Sequence, residues 1–408
     1  MSRGDGAQGL TEDRNIVPVH TLGISQICAY GLLFYAFAQL KIPLAEKHAV
    51  SSSDILAAIS VAMVLQALLA PVIGRWVDRF GALNVMRWGF FLGSAGMLIV
   101  GLSEHFFVLC SGLMIVGFGY AMCTYEIAFG AAVQLDEAGS RKHISVITFY
   151  GGVASSITWM AIGPLMLAVG LTGTFWVISV ILLCCGIVVG SHARGFQPSQ
   201  GKNEKQSLPF SWRGLTRQEK QALVALASTG CFEYLLFAST TLMWITWFEG
   251  QYHDPMLAIY LASIYGPFQV VGRVIEMKFG HRFDARVTAV VASCLIPVAL
   301  MLVQIPSLVF AILAMMIFGM GHGILTVSFG FITNLYFRAE VYGRAKGIIT
   351  APKAIGAALG PSLGGFLYAM GGHVLMLVMV ALAVMSAAAL VYLLWLRPTN
   401  EIHMRSSH

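Results

Sequence analysis

Residues 144–193 read ISVITFYGGVASSITWMAIGPLMLAVGLTGTFWVISVILLCCGIVVGSHA. This run contains no Asp, Glu, Lys or Arg. A helix that crosses the hydrocarbon core of a bilayer needs about 20 apolar residues. The run is therefore long enough for two crossings, and the Gly-Leu-Thr-Gly segment at 170–173 is where we expect the chain to turn between them.

The composition extends this interpretation to the whole chain. Of the 408 residues, 57% are hydrophobic and 11% are charged, whereas soluble domains carry about 25% charged residues. These values exclude a soluble globular enzyme, a disordered chain and a secreted disulfide scaffold. The seven cysteines lie in apolar stretches and form no C-x-x-C pair, so we interpret them as small packing residues.

Long apolar runs with little or no charge recur six times before a polar segment at 194–221 and six times after it. The predicted fold class is an all-α membrane protein with twelve transmembrane helices in two six-helix bundles. The predicted domains are an N-terminal bundle at 1–193, a cytosolic linker at 194–221, and a C-terminal bundle at 222–408 that ends in a short tail. Because the first twenty residues are polar, we expect no signal peptide.

The distribution of Lys and Arg predicts the orientation. With the N-terminus inside, every Lys and Arg falls in a cytosolic segment except Lys41, Lys47 and Lys353. Lys41 and Lys47 are expected on the outer side and Lys353 within a span. The prediction is a plasma membrane protein, in a bacterium an inner membrane protein, with both termini cytoplasmic. The net charge of +6 then lies along the inner leaflet, which argues against a nucleic acid partner.

The two predicted halves resemble each other in sequence. MIVGFGY at 114–120 matches MIFGMGH at 316–322, and GRWVDRFG at 74–81 has a weaker echo in GRVIEMKFG at 272–280. Because the offset is about half the chain, each half is predicted to be one copy of a duplicated, pseudo-symmetric six-helix unit.

These motifs resemble those of the major facilitator superfamily of secondary transporters. Residues 74–81 resemble that family's cytosolic loop 2–3 signature, and GAALGPSLGG at 356–365 resembles its glycine-proline motif. A fainter resemblance to monocarboxylate and oxalate/formate-type porters rests on Arg141 and Lys142, followed by GGVAS at 151–155. The resemblance implies alternating access around a central cavity lined by spans 1, 4, 7 and 10.

Two groups of residues are predicted to serve conformational change rather than substrate binding. A latch at the cytosolic side is predicted from both copies of the loop motif, although a simple positive anchor with an incidental acid would give the same pattern. Its residues are Gly74, Asp78, Arg79, Gly81, Arg273 and Glu276. Helix packing or hinge positions are predicted in span 11 at Gly356, Gly360, Pro361, Gly364 and Gly365.

Ionisable groups inside spans are the main candidates for function, because each costs about 2.5–3.5 kcal/mol to insert. Four stand out: Glu126, Glu233, His322 and Lys353. The two glutamates suit proton or cation binding, His322 suits proton coupling, and Lys353 suits an anionic substrate. Each residue also has a simpler alternative. The glutamates could be paired with a neighbour for packing alone, and Glu126 could be solvated near the interface. His322 could be a packing residue, and the side chain of Lys353 could extend to the interface.

Polar residues in otherwise apolar spans add two candidate substrate contacts, Tyr30 and Gln269, for which packing is the alternative. Met315, Met316, Met320 and His322 would suit a soft metal, but methionine is abundant throughout the chain, so no metal site is predicted.

The sequence contains no phosphate-binding loop, catalytic triad or zinc-ligand set, so neither an enzyme nor a cofactor is predicted. The predicted function is secondary transport of a small organic solute, an organic anion such as a carboxylate, coupled to protons. The predicted partners are that solute, the coupling ion and the lipid bilayer, and the protein is expected to be monomeric. Two alternatives stay open: efflux of hydrophobic or cationic drugs, and a non-transporting sensor with a transporter fold.

Overall fold

The computed structural model describes residues 19–136, 140–193, 215–337, 339–396 and 398, and these are helical without any strand. The predicted N-terminal segment before residue 19, linker residues 194–214 and most of the C-terminal tail lie outside the described residues, as does the side chain of Arg141. The helices are α1 Val19–His48, α2 Ser52–Phe80, α3 Ala82–Leu102, α4 Phe106–Ala121, α5 Tyr125–Leu135, α6 Ser140–Gly152, α7 Ala154–Ala193, α8 Arg217–Thr241, α9 Trp244–Tyr252, α10 Pro255–Ser263, α11 Tyr265–Phe279, α12 Ala285–Leu302, α13 Leu308–Tyr336, α14 Ala339–Met370 and α15 Gly372–Trp395.

The helix ends follow from local sequence. Ser51 and Asp54 form a capping box at the start of α2, because each side chain accepts a hydrogen bond from the other residue's backbone N–H. Gly81, at φ 81°, joins α2 to α3 in a conformation that favours glycine. Pro255 occupies the first position of α10, where its missing N–H costs nothing.

The predicted twelve crossings are present. Within the described residues, ten helices are long and apolar enough to span a bilayer, and one of them covers the 52 residues 142–193. Gly170 interrupts that helix with φ 71° and ψ 177°, so it makes two crossings that meet at the predicted turn. Helix α14, 32 residues long, supplies the twelfth.

The chain divides into two units, Met1–Lys202 and Asn203–His408. Each unit contains six of the crossings. The predicted domain bounds at 193/194 and 221/222 stay a prediction.

Close helix contacts within each unit depend on glycine. In unit 1, a Cβ placed on Gly117 of α4 would lie 2.7 Å from the carbonyl oxygen of Ala62 on α2. In unit 2, Gly272 of α11 lies against the Met320 carbonyl of α13 with no room for a side chain. Small residues of this kind let membrane helices approach closely enough for their backbones to touch.

Helix α1 extends past the predicted end of span 1. It continues to His48, so Lys41, which was expected on the outer side, lies within the helix with only 1% of its surface exposed. The charge that ends the apolar run does not end the helix, because packing inside unit 1 covers this lysine. Lys47, near the end of α1, donates a hydrogen bond from Nζ to the carbonyl oxygen of Gly101 at 3.0 Å.

Candidate functional site

A cavity lies inside unit 2, between α8, α13 and α14. Its volume is about 60 Å³. Three of the ionisable residues predicted from the sequence, Glu233, His322 and Lys353, are brought together in its lining. The full lining consists of Gly230, Glu233, Tyr234, Phe237, His322, Leu325, Thr326, Phe329 and Lys353.

The predicted span 11 glycines determine how close α14 comes to α8. Gly356 abuts the carbonyl oxygen of Cys231, and Gly360 abuts the Cβ of Ala238, each too closely for a side chain. A Cβ on Gly364 would lie 3.0 Å from the carbonyl oxygen of Ser239, whose hydroxyl donates to the Gly360 carbonyl at 2.8 Å. This contact places Lys353, one turn before Gly356, beside α8. Pro361 lies within the same helix and next to Gly360.

Lys353 approaches the cavity from α14. Its Nζ lies 4.1 Å from the centroid of the Tyr234 ring on α8, within the range of a cation–π interaction. The aromatic face offers a membrane-embedded ammonium group a partner that carries no negative charge. The positive charge of Lys353 is therefore not cancelled by this contact.

Glu233, on α8, is the most enclosed of the predicted acids, with 3% of its surface exposed. Its Oε1 accepts hydrogen bonds from the hydroxyls of Ser293 on α12, at 3.1 Å, and Ser386 on α15, at 2.6 Å. Its Oε2 is buried and has no hydrogen-bond partner among the described residues. A buried carboxyl group with an unused oxygen can hold a proton there.

His322, on α13, is fixed by aromatic and polar neighbours. Its ring stacks on Phe237 with a centroid distance of 3.6 Å. Its Nδ1 lies 3.1 Å from the amide nitrogen of Gln269 and also contacts the Tyr265 hydroxyl. Because an amide nitrogen only donates, Nδ1 accepts this hydrogen bond, and the ring proton of a neutral imidazole lies on Nε2. Gln269 therefore reaches His322 rather than the cavity.

Tyr30 and Glu126 belong to unit 1, and both lie near a break in span 4. The break separates α4 from α5 at residues 122–124. The Tyr30 hydroxyl accepts a hydrogen bond from the backbone N–H of Tyr125 at 3.3 Å, and Glu126 follows in the first turn of α5 with its side chain exposed. Glu126 thus lies at a helix N-terminus, a favourable place for a carboxylate.

The two copies of the loop motif differ in environment. In unit 1, Asp78 and Arg79 are exposed, and Gly74 has open space around its Cα. In unit 2, Arg273 and Glu276 are buried, at 3% and 6% exposure. Glu276 Oε1 accepts hydrogen bonds from Thr288 and Ser328, both at 2.9 Å.

Sequence reasoning missed several residues around these groups. Ser293, Ser386 and Tyr265 position Glu233 and His322, yet single hydroxyls in apolar helices are too common to stand out. Sequence reasoning also missed that α1 continues past Lys41 and buries it. Among the described residues, no group of three or more His, Cys, Asp or Glu side chains could hold a metal ion.

Comparison with known proteins identifies the class. The family model of the Major Facilitator Superfamily matches residues 22–351. Because this range covers most of the chain, the chain belongs to that superfamily. It is an integral multi-pass membrane protein and a secondary transporter of small molecules rather than an enzyme.

Two solved structures share the fold. A mutant of the nucleoside transporter NupG aligns with a TM-score of 0.72 and 15% identity, covering 92% of this chain and 98% of that one. A bacterial homologue of the human lysosomal transporter Spinster, in an inward-facing and occupied conformation, aligns with a TM-score of 0.67 and 14% identity, covering 93% and 96%. At these identities the likeness extends to the fold alone. No curated protein matches the chain by sequence.

Proposed function

We propose that this transporter moves a small organic anion, such as a carboxylate, in a proton-coupled cycle, and that Lys353 binds the anion. The observation that supports this most directly is the position of Lys353, at a cavity inside unit 2 with its Nζ over the Tyr234 ring. An ammonium group attracts a carboxylate, and the Tyr234 ring adds no negative charge that would compete with it. Phe237, Leu325 and Phe329 offer apolar surface for the rest of the solute.

The dimensions of the cavity favour a small charged group. Its volume of about 60 Å³ corresponds to a few water-sized probes, since each needs roughly 10–15 Å³. A carboxylate group fits in this space beside Lys353.

Glu233 is our candidate for the proton site. Its hydrogen-bond partners are the neutral hydroxyls of Ser293 and Ser386. A carboxylate that is removed from water without a charged partner is costly, and a proton removes that cost. Glu233 lines the same cavity as Lys353, so proton and anion would affect each other electrostatically.

The central experiment is a thermal-shift screen of purified protein against small carboxylates at two pH values, followed by uptake of each hit into proteoliposomes. We expect a hit to stabilise the wild type and Lys278→Ala, which removes an exposed lysine of unit 2, but not Lys353→Ala. Equal stabilisation and equal uptake by Lys353→Ala would overturn the assignment of the anion site. A protein that moves no solute under any imposed gradient would instead be a sensor with a transporter fold.

The remaining roles follow from the same scheme. Gln269 positions His322, and His322 serves in proton coupling. The loop residues Gly74, Asp78, Arg79 and Gly81 in unit 1, with Arg273 and Glu276 in unit 2, form the conformational latch. Gly365 belongs with Gly356, Gly360, Pro361 and Gly364 to the packing positions of α14. Charge reversal at Asp78 is expected to slow transport while leaving the affinity for the anion unchanged.

We also propose a monomer in a bacterial inner membrane with both termini cytoplasmic. The support is the distribution of Lys and Arg along the sequence. A single cysteine introduced as Ser199→Cys in a cysteine-free background tests the orientation. It should react with a membrane-impermeant maleimide only after the cells are opened, and labelling of intact cells would contradict the assignment.

A further inference from the structure

Two glycines of α7 let Arg87 of α3 lie against the α7 backbone. A Cβ on Gly190 would lie 2.3 Å from Cδ of Arg87, and a Cβ on Gly186 would lie 2.6 Å from the ring of Phe91, one turn further along α3. Glycine at these two positions lets the two helices approach this closely. The aliphatic stem of Arg87 therefore lies in a groove between α3 and α7 rather than free in water.

This groove lies near one face of the membrane. Arg87 is in the second turn of α3, and Gly190 is in the last turn of α7. Because both helices cross the bilayer, their ends lie close to the depth of the phosphate headgroups. Trp88, beside Arg87, and Ile187, beside Gly186, are both more than half exposed. Exposed apolar side chains on membrane-spanning helices contact lipid, so the groove is open to the lipid around unit 1.

The described part of the chain supplies no counter-charge for Arg87. Neither α3 nor α7 contains an Asp or Glu, and no described carboxylate forms an ion pair with Arg87. Its Cζ lies 5.4 Å from the centroid of the Trp88 ring, a cation–π contact that adds no negative charge. Its Nε is buried and has no hydrogen-bond partner among the described residues. Because a guanidinium is always charged and carries five N–H donors, Arg87 retains donors that the described chain does not use.

Arg286 of unit 2 shows how an arginine near a helix end is otherwise satisfied. Its Nε donates to Oδ2 of Asp284 at 2.9 Å, and its Nη1 donates to the Leu396 carbonyl, at the end of α15, at 3.2 Å. An acid and a helix C-terminus thus account for this guanidinium. Arg87 also lies beside a helix C-terminus, that of α7, but without an acid. A ligand of Arg87 should therefore carry the missing negative charge.

We infer that the groove between α3 and α7 binds the phosphate group of an anionic phospholipid through Arg87 and Trp88. The planar guanidinium fork matches phosphate oxygens in a bidentate geometry, and tryptophan favours the depth of the headgroups. Basic pockets between transmembrane helices bind anionic headgroups in this way. An arginine that served only as a topological anchor would extend into water and would not need Gly190 to make room for its stem. The site lies within unit 1 and uses none of the residues assigned to anion or proton binding in unit 2.

Two lipids that share their acyl chains and differ in headgroup charge provide a direct test. Dioleoylphosphatidylglycerol is anionic, whereas dioleoylphosphatidylcholine is zwitterionic. Native mass spectrometry of the purified full-length protein in detergent, titrated with each lipid, measures the dissociation constant of the first bound lipid. We expect phosphatidylglycerol to bind at least about fivefold tighter than phosphatidylcholine. Equal affinity for the two lipids would overturn the inference.

Variants test whether this preference depends on Arg87. Arg87→Gln should weaken phosphatidylglycerol binding about fivefold, and Arg87→Lys, which keeps the charge but not the planar fork, about two- to threefold. Arg282→Gln is the matched control and should leave binding unchanged, because Arg282 of unit 2 is exposed and also lies over a neighbouring ring, with its Cζ 5.7 Å from the Phe279 centroid. Unchanged affinity in either Arg87 variant, or an equal loss in Arg282→Gln, would contradict the site. These results do not depend on Lys353, so failure here and failure of the anion proposal are distinguishable.

Discussion

Lys353 and Tyr234 face each other across the contact between α14 and α8, with the lysine Nζ 4.1 Å from the centre of the tyrosine ring. The two side chains come from different helices, and a membrane interior offers an ammonium group few alternatives to such a contact. This pair lines the unit 2 cavity and forms the basis of the proposed anion site.

The first prediction concerns the ring of Tyr234. Tyr234→Leu removes the aromatic face and should raise the KM for the anion identified in the screen about 3- to 30-fold, because the ammonium group loses its fixed position. Tyr234→Phe retains the ring and should stay within about twofold of the wild type. Uptake into proteoliposomes over a range of substrate concentrations measures both. Equal effects of Leu and Phe would show that the hydroxyl, rather than the ring, is what matters.

The second prediction concerns coupling through Glu233. Glu233→Gln cannot exchange a proton, so accumulation driven by a pH gradient should be lost while exchange of labelled for unlabelled substrate persists. Glu46→Gln neutralises an exposed acid of α1 and should preserve both activities. Retention of pH-driven accumulation in Glu233→Gln would remove Glu233 from the coupling mechanism.

Ser386→Ala tests the environment of the same carboxyl group. It removes the donor that lies 2.6 Å from Glu233 Oε1 and leaves Ser293 as the remaining partner. Because the lost bond favours the charged carboxylate, the pH at which transport is half-maximal should rise. A pH profile identical to that of the wild type would mean that Glu233 does not titrate during the cycle.

The next prediction compares two glycines of α14. Gly356→Ala places a methyl group against the Cys231 carbonyl, and this overpacking should lower the free energy of unfolding by about 1–3 kcal/mol. Gly347 is exposed and has no atom near the position of a new Cβ. Gly347→Ala should therefore raise the free energy of unfolding by about 0.5–1 kcal/mol through helix propensity. Denaturant unfolding in detergent measures both, and a loss of stability in Gly347→Ala as large as that in Gly356→Ala would contradict the contact.

The last prediction concerns Asp284, which precedes α12 and caps it by accepting from the Arg286 N–H at 2.8 Å. Burial raises the pKa of Asp284, but hydrogen bonds from Arg286 outweigh this effect and hold the pKa below its ordinary value. The stabilisation is therefore present above the ordinary aspartate pKa of about 3.9 and is lost as the pH falls through the lowered pKa.

Two substitutions separate the cap from the charge. Asp284→Ala should cost about 1 kcal/mol of unfolding free energy at neutral pH, and Asp284→Asn less, because asparagine also caps helices well. The difference between wild type and Asp284→Asn should shrink on acidification. A difference that does not change with pH would show that the ion pair with Arg286 contributes nothing.

Much of the architecture follows from composition and periodicity. Because charge is excluded from lipid, the apolar runs marked the spans, and Gly170 marked the turn within 144–193. The same reasoning ended span 1 before Lys41, whereas α1 continues past this residue and buries it, since packing inside a bundle can cover a charge. The family resemblance placed Glu233 and His322 on cavity-lining spans, but it did not predict that Lys353 of span 11 would join them, nor their partners Ser293, Ser386 and Tyr265.

By itself, the sequence determined that this chain is a duplicated, twelve-helix membrane protein of a transporter family. Hydropathy, glycine spacing and internal repetition can all be read from the order of residues along the chain. Only the tertiary structure decided which polar groups meet. Hydrogen bonds and ring contacts act over a few ångströms between helices that are distant in sequence, as in Tyr30 with Tyr125 or Glu233 with Ser386. Such contacts depend on how the helices are rotated and packed, and helical periodicity leaves both undefined.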